Sequence, residues 1–187
     1  MTFVLGGARS GKSSFALNLA KKEEAKLLTV ADIMPQQRTV AFIATCNPYD
    51  EEMAERVRKH QQERPAHWRT YQEISLLSPL LQQIKDEGIY QIVIIDCLTL
   101  FISNLMLDKM SEREIQEETG IFLDIIKQTT SPSIQAFIIS NEVGQGIVPE
   151  NKLAREFRDV SGRINQLVAG SSDKFFSMIA GIPLQVK

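Results

Sequence analysis

The sequence predicts an α/β fold, a mostly parallel sheet flanked by helices. Three observations carry this prediction. Five short apolar runs rich in Val, Ile and Phe lack polar alternation, as strands buried on both faces do. Helical patterns with apolar stripes lie between them. A glycine-rich motif follows the first run directly, and strand–helix alternation opening on such a motif describes an α/β P-loop NTPase domain.

The first strand is Thr2–Leu5. After it, Gly6-Gly7-Ala8-Arg9-Ser10-Gly11-Lys12-Ser13 matches the P-loop pattern Gly-x-x-x-x-Gly-Lys-Ser. Backbone N–H groups of such a loop wrap a phosphate chain, and the following helix adds the positive end of its dipole. Gly6, Gly7 and Gly11 let the backbone approach phosphate without a Cβ in the way. Lys12 is expected to reach the β and γ phosphates, and the Ser13 hydroxyl to ligate Mg²⁺. A ligand-free strand-to-helix turn is the bland alternative, but the strand before and the helical stretch Ser14–Lys22 after supply the required context. Between Ala25 and Thr39 the periodicity fails, and Met34-Pro35-Gln36-Gln37-Arg38 reads as a surface loop.

Val40–Thr45 is the second strand. The helix Asp50–Arg64 carries Met53, Val57 and His60 at i, i+4 and i+7, and Pro65 ends it. By spacing alone His60 is a core or boundary histidine, while His67 and Trp68 read as a packed loop. The third strand, Gln91–Asp96, closes on a carboxylate. P-loop proteins place the Mg²⁺-holding Walker B acid at that position, and capping of the turn into Leu98–Leu105 is the other reading of Asp96. Glu112–Gln128 is helical, with Ile115, Phe122 and Ile126 on one stripe. The fourth strand, Ile134–Ser140, runs into the loop Asn141–Glu150 at the carboxyl edge of the sheet, where open α/β sheets bind ligands. Asn141 and Glu142 are the candidate polar site residues there, against a purely structural turn. The helix Asn151–Ala169 aligns Leu153, Phe157, Val160, Ile164 and Leu167, and an Arg155–Asp159 ion pair at i, i+4 explains part of its polar face. Phe175–Ile179 is the fifth strand.

Bulk properties narrow the classes. At 187 residues the chain fits one domain spanning 1–187. Lys and Arg total 21 against 23 Asp and Glu, so no basic excess argues for a nucleic-acid partner. No apolar run approaches the roughly 18 residues of a membrane span, and neither a signal nor a transit peptide is expected. Cys46 and Cys97 lack metal or disulfide spacing; each ends an apolar run, as a small buried residue in a reducing cytoplasm would.

Five stretches, GGARSGKS, FIAT, H-x-x-x-RPAHWRT, NEVGQGIVPE and FRDVSGRINQ, follow one another from residue 6 to about 166. In that order they resemble the bifunctional adenosylcobinamide kinase / adenosylcobinamide-phosphate guanylyltransferase family of cobalamin biosynthesis. GGARSGKS alone is only a P-loop; RPAHW and NEVGxGIVPE make the resemblance specific. It implies a RecA-like fold and a two-step enzyme. Adenosylcobinamide is phosphorylated on its aminopropanol hydroxyl with ATP or GTP. GMP then passes from GTP through a guanylylated histidine to give adenosylcobinamide-GDP. The family's histidine lies four residues before the Arg-Pro of RPAHW, which is His60 here, so the resemblance turns its reading from core residue to nucleophile beside the catalytic Lys12. The implied nucleotide contacts are Gly6, Gly7, Ala8, Arg9, Ser10, Gly11, Lys12 and Ser13 of the P-loop, Ala44, Thr45, Cys46, Arg64, and the neighbourhood of Asp96 to Thr99. Ser13 and Asp96 are the implied Mg²⁺ ligands, and the implied assembly is a homotrimer. Two features depart from the family pattern. The stretch from Lys12 to Thr45 is longer than in compact members, with the excess around Asp32–Arg38, and Asp96 stands where some members carry Glu. A P-loop small-molecule kinase without guanylyl transfer has no use for His60; a nucleotide-dependent binding or regulatory protein is the alternative from outside the enzymes.

Overall fold

The computed structural model describes residues 1–30, 39–47, 51–128 and 134–187. Its elements are β1 (Thr2–Gly6), α1 (Lys12–Val30), β2 (Val40–Ala44), α2 (Glu51–Gln62), β3 (Arg69–Gln72), α3 (Leu77–Glu87), β4 (Ile92–Asp96), α4 (Leu98–Leu107), α5 (Glu112–Gln128), β5 (Gln135–Asn141), α6 (Lys152–Ser171), β6 (Lys174–Ile179) and β7 (Ile182–Gln185). The loop expected around Asp32–Arg38 lies outside the described residues, as do the side chains of Met53 and His60 on α2.

All seven strands join one sheet in the order β3-β2-β4-β5-β1-β6-β7. Only β7 runs antiparallel to its neighbour. The five apolar runs of the sequence are the five central strands, and strand period separates their side chains into two cores. Val40, Phe42, Ile92 and Ile94 pack with Ala16, Leu17 and Ala20 of α1. Ala41, Ile43, Val93 and Ile95 pack on the other face with α3, α4, α5 and α6. Both faces are covered, so nothing polar is needed along these strands until they reach the site. Burial of each such Val or Ile contributes about 1.5–3 kcal/mol, which makes this sheet the rigid platform of the molecule.

Several elements differ from the sequence expectation. α1 continues to Val30, past the Lys22 end read from its pattern, because its inward position 24 is filled by a buried glutamate that hides the stripe. α3 presents Leu77, Leu80, Leu81 and Ile84 to the core, yet its N-cap position is Leu76, which offers no acceptor. Glu118 of α5 supplies it, accepting from the Ser78 N–H at 2.8 Å and the Ser78 hydroxyl at 2.7 Å. β3 is a short, mostly exposed edge strand beside β2. On α6, Val160 and Ile164 are buried as expected, whereas Leu153 and Leu167 are exposed. Leu153 and Phe157 instead line a cavity of about 230 Å³ with Met106 and Leu107 of α4. Arg155 donates to the Pro149 and Glu150 carbonyls rather than to Asp159, which pairs with Arg158.

Candidate active site

The strand order brings the carboxyl ends of β1, β5 and β4 side by side. Gly6 pairs with Asn141, and Asp96 with Ile139, so the P-loop, Asn141 and the Walker B position form one edge. The P-loop turns through Arg9 and Gly11, both with positive φ (57° and 84°), and the Phe15 N–H to Gly11 carbonyl bond starts the helix. The hairpin turn between β6 and β7 rests against it. Ala180 and Gly181 both take positive φ, as a two-residue type I′ hairpin loop requires, and the Gly181 N–H donates to the Ser10 carbonyl at 3.1 Å.

Gly6 sits where no side chain fits. A Cβ built there lies 2.5 Å from the Ser10 hydroxyl oxygen and 2.8 Å from the Met178 Cβ, an atom fixed to the backbone of β6. Gly6→Ala is therefore expected to lose about 1–3 kcal/mol of stability by overpacking. Gly7→Ala, whose Cβ meets nothing within 4 Å, should unfold near the wild-type temperature. Thermal unfolding without nucleotide compares the two.

Lys12 is buried, and its Nζ donates to the Gly7 carbonyl at 3.1 Å. Burial lowers its pKa, with Cys97 and Asp96 acting in the opposite direction. Arg64 is the second cation of the edge. Its guanidinium carbon lies 3.4 Å from the centre of the Phe42 ring, and its Nε is buried without a hydrogen-bond partner. Burial lowers the Arg64 pKa to about 10, again against Asp96 and Glu63, so it stays charged at neutral pH. Asp96 is thus an acid that raises the pKa of both cations, the buried Lys12 and the partly buried Arg64. The Cys97 thiol beside it is pushed up to about 12, chiefly by burial, and is a neutral packing group as expected; Cys46 is half-buried rather than buried.

The other expected site residues divide by what they already hold. The Thr45 hydroxyl donates to the Cys97 carbonyl at 2.7 Å and accepts from the Cys97 N–H at 2.8 Å, which locks the end of β2 to the start of α4. Ala44 and Cys46 flank it, and their carbonyls accept from the Glu73 N–H and the Gln72 side chain. Thr99 accepts from the Asn141 N–H at 2.6 Å and shares a hydrogen bond with Ser140. Glu142 bends back to accept from the Gly144 N–H at 2.6 Å, bracing its own loop, while Asn165 of FRDVSGRINQ reaches the Asn141 carbonyl at 3.4 Å. Ser13, which follows Lys12 at the start of the helix, is partly exposed. Ser13 and Asp96 offer only hard oxygen donors, and among the described residues no cluster of three or more His, Cys, Asp or Glu forms. That donor set suits Mg²⁺, which takes one or two protein oxygens and completes its shell with water and substrate phosphates.

The family model for cobinamide kinase / cobinamide phosphate guanyltransferase matches residues 2–186 of this chain. The chain belongs to that family. Among its relatives in the cobinamide kinase / cobinamide phosphate guanyltransferase family, the bifunctional adenosylcobalamin biosynthesis protein CobU of Escherichia coli strain K12 is 34% identical, covering 100% of this chain and 99% of its own length. The protein of the same description from Salmonella typhimurium is 35% identical over the same shares. The bifunctional adenosylcobalamin biosynthesis protein CobP of Pseudomonas aeruginosa is 33% identical, covering 98% of this chain and 95% of its own. Of the stretches that carry the resemblance, the P-loop follows β1, and RPAHW brings Arg64 over Phe42 of β2, the strand that pairs with β4. Two contributors to the edge are not legible in those motifs: the Ala180-Gly181 turn, and Glu24, which holds the RPAHW segment from α1. The signal for the first is an Ala-Gly pair between two apolar runs; for the second there is none beyond a glutamate inside a helix.

Proposed function

We propose that this chain carries out both reactions of its family name. In the first, the alcohol oxygen of adenosylcobinamide attacks the γ phosphorus of ATP or GTP, forming an O–P bond and releasing the nucleoside diphosphate. In the second, a His60 imidazole nitrogen attacks the α phosphorus of GTP and pyrophosphate leaves. A phosphate oxygen of adenosylcobinamide phosphate then takes the GMP and frees the imidazole. The observation that carries this reading is the P-loop edge itself: Lys12, buried and bonded to the Gly7 carbonyl, and Arg64, stacked on Phe42 of the strand beside β4, place two cations near the strand end that carries Asp96.

In this reading Lys12 offsets charge on the transferred phosphate. Backbone N–H groups from Gly6 to Ser13 cradle the chain, and Ala44, Thr45, Cys46, Arg64 and Thr99 border the nucleotide. Mg²⁺ held by Ser13 and Asp96 would neutralise phosphate charge. Residues 1–187 act as one nucleotide-binding and transferase domain, which the single continuous sheet supports. A homotrimer is the assembly we favour; exposed Ile182, Leu184 and Val186 along the β7 edge are the kind of surface that subunits bury. A cytoplasmic location fits the free cysteines, and no helix among the described residues is long and apolar enough to cross a membrane.

Intact-mass measurement after incubation with GTP tests the reading. One guanylyl group should add to the chain, then leave when adenosylcobinamide phosphate is supplied and adenosylcobinamide-GDP forms. Corrinoid phosphorylation without the adduct would leave a plain kinase, and neither reaction would leave a nucleotide-binding protein.

A further inference from the structure

Glu24 is a buried carboxylate that neither reaction uses. It lies on α1, three turns beyond the P-loop, and is 5% exposed. Three donors from two other segments converge on it. Oε1 accepts from the Thr39 hydroxyl and lies 3.0 Å from the His67 Nε2, and Oε2 accepts from the Trp68 indole N–H at 2.8 Å. One turn earlier on the same helix, the Lys21 Nζ donates to the Glu63 carbonyl at 3.2 Å. The P-loop helix therefore grips residues 63 to 68 at two successive turns.

What it grips is the segment that matters for the second reaction. Arg64, stacked on Phe42 and sensing Asp96, lies inside it. Trp68 anchors its far end in the same core as Phe42. α2, which bears His60, ends at Gln62, so only Glu63 separates that helix from Arg64. An apolar residue at position 24 would bury as well but would fix no orientation; a carboxylate with three matched donors fixes the register of the segment.

We propose that Glu24 is a positioning residue for guanylyl transfer, holding the Glu63–Trp68 segment, and through it Arg64 and the end of the His60 helix, in register with the P-loop. This rests on the reading that His60 carries GMP. In this reading Arg64 offsets charge on the α phosphate during guanylyl transfer, whereas the kinase step is served by the P-loop and Lys12, so the kinase step is expected not to depend on Glu24.

The two half-reactions of one protein separate this role from plain stabilisation. Glu24→Gln keeps the size of the side chain but turns an N–H toward a donor, most directly the Trp68 indole. It should slow single-turnover formation of the GMP adduct by about tenfold or more, the cost of a small misplacement. Corrinoid phosphorylation should stay within about twofold of wild type. Trp68→Phe removes the opposed N–H, so the double variant Glu24→Gln/Trp68→Phe should regain about threefold or more of the adduct rate. Lys21→Ala, a change at a partly exposed residue that should keep the fold, should lower the adduct rate about threefold with the kinase rate unchanged. Parallel loss of both rates, or loss of neither, in Glu24→Gln and Lys21→Ala overturns the positioning role. Absence of the adduct in wild type overturns the underlying reading instead, so the two failures are told apart.

Discussion

Replacing His60 by Ala is expected to abolish covalent labelling by GTP that carries its label on the α phosphate. Only the neutral imidazole has a free nitrogen lone pair with which to attack phosphorus. The bond it forms to the α phosphorus is a phosphoramidate, which acid destroys and alkali spares, and the wild-type adduct should show that pattern. His67 is the internal control. The structure engages its Nε2 with Glu24 at 3.0 Å, which makes it a tether for the loop. His67→Ala should therefore still label, more slowly, while His60→Ala retains triphosphate binding and most of the kinase step. Labelling that survives in His60→Ala but vanishes in His67→Ala would overturn the assignment.

Lys12→Ala is the second large effect. The side chain is buried, and its ammonium is bonded to the Gly7 carbonyl, where a triphosphate would add strong acceptors. Charge-assisted hydrogen bonds of this kind contribute about 1.5–3 kcal/mol each, so affinity for Mg·GTP should fall about 10- to 150-fold. Lys12→Met keeps the apolar stem and loses only the charge. If the loss is electrostatic the two variants behave alike in calorimetry; undiminished affinity in either would remove Lys12 from the phosphate site.

Much of this molecule is legible in its sequence because its central strands obey a simple rule. A strand buried on both faces must be continuously apolar, and the inner stretches of β1, β2, β4 and β5 are, whereas β6 is only partly buried and carries Ser177. The P-loop is legible for a similar reason, since close approach to phosphate allows little but glycine. What escapes is whatever is fixed by partners far along the chain. α3 has no cap of its own, because its N-terminus is satisfied by Glu118, 40 residues away. β3 is polar because it is an edge. α1 reads as ending early because Glu24 occupies an inward position that only Thr39, His67 and Trp68 make acceptable. At the site, the residue types of Lys12, Arg64 and Asp96 were readable, but their convergence depends on β5 lying between β1 and β4, an order that no local pattern states. His60 was reached by resemblance alone, since on spacing it is an unexceptional helix residue.

The turn at Ala180-Gly181 has a thermodynamic consequence. Its Gly181 N–H is bonded to the Ser10 carbonyl, and its Cα sits 3.5 Å from where a Cβ on Gly11 would lie, so the last hairpin of the chain and the phosphate loop near its start share a boundary. Opening the hairpin unravels part of the loop's support, and ordering the loop removes states in which the hairpin is open. Linkage makes these effects equal: whatever free energy the closed hairpin lends to phosphate binding, a bound phosphate returns to the hairpin as resistance to local unfolding. Residues more than 170 positions apart in the chain are thereby expected to share one local unfolding equilibrium, which hydrogen exchange with and without nucleotide would read.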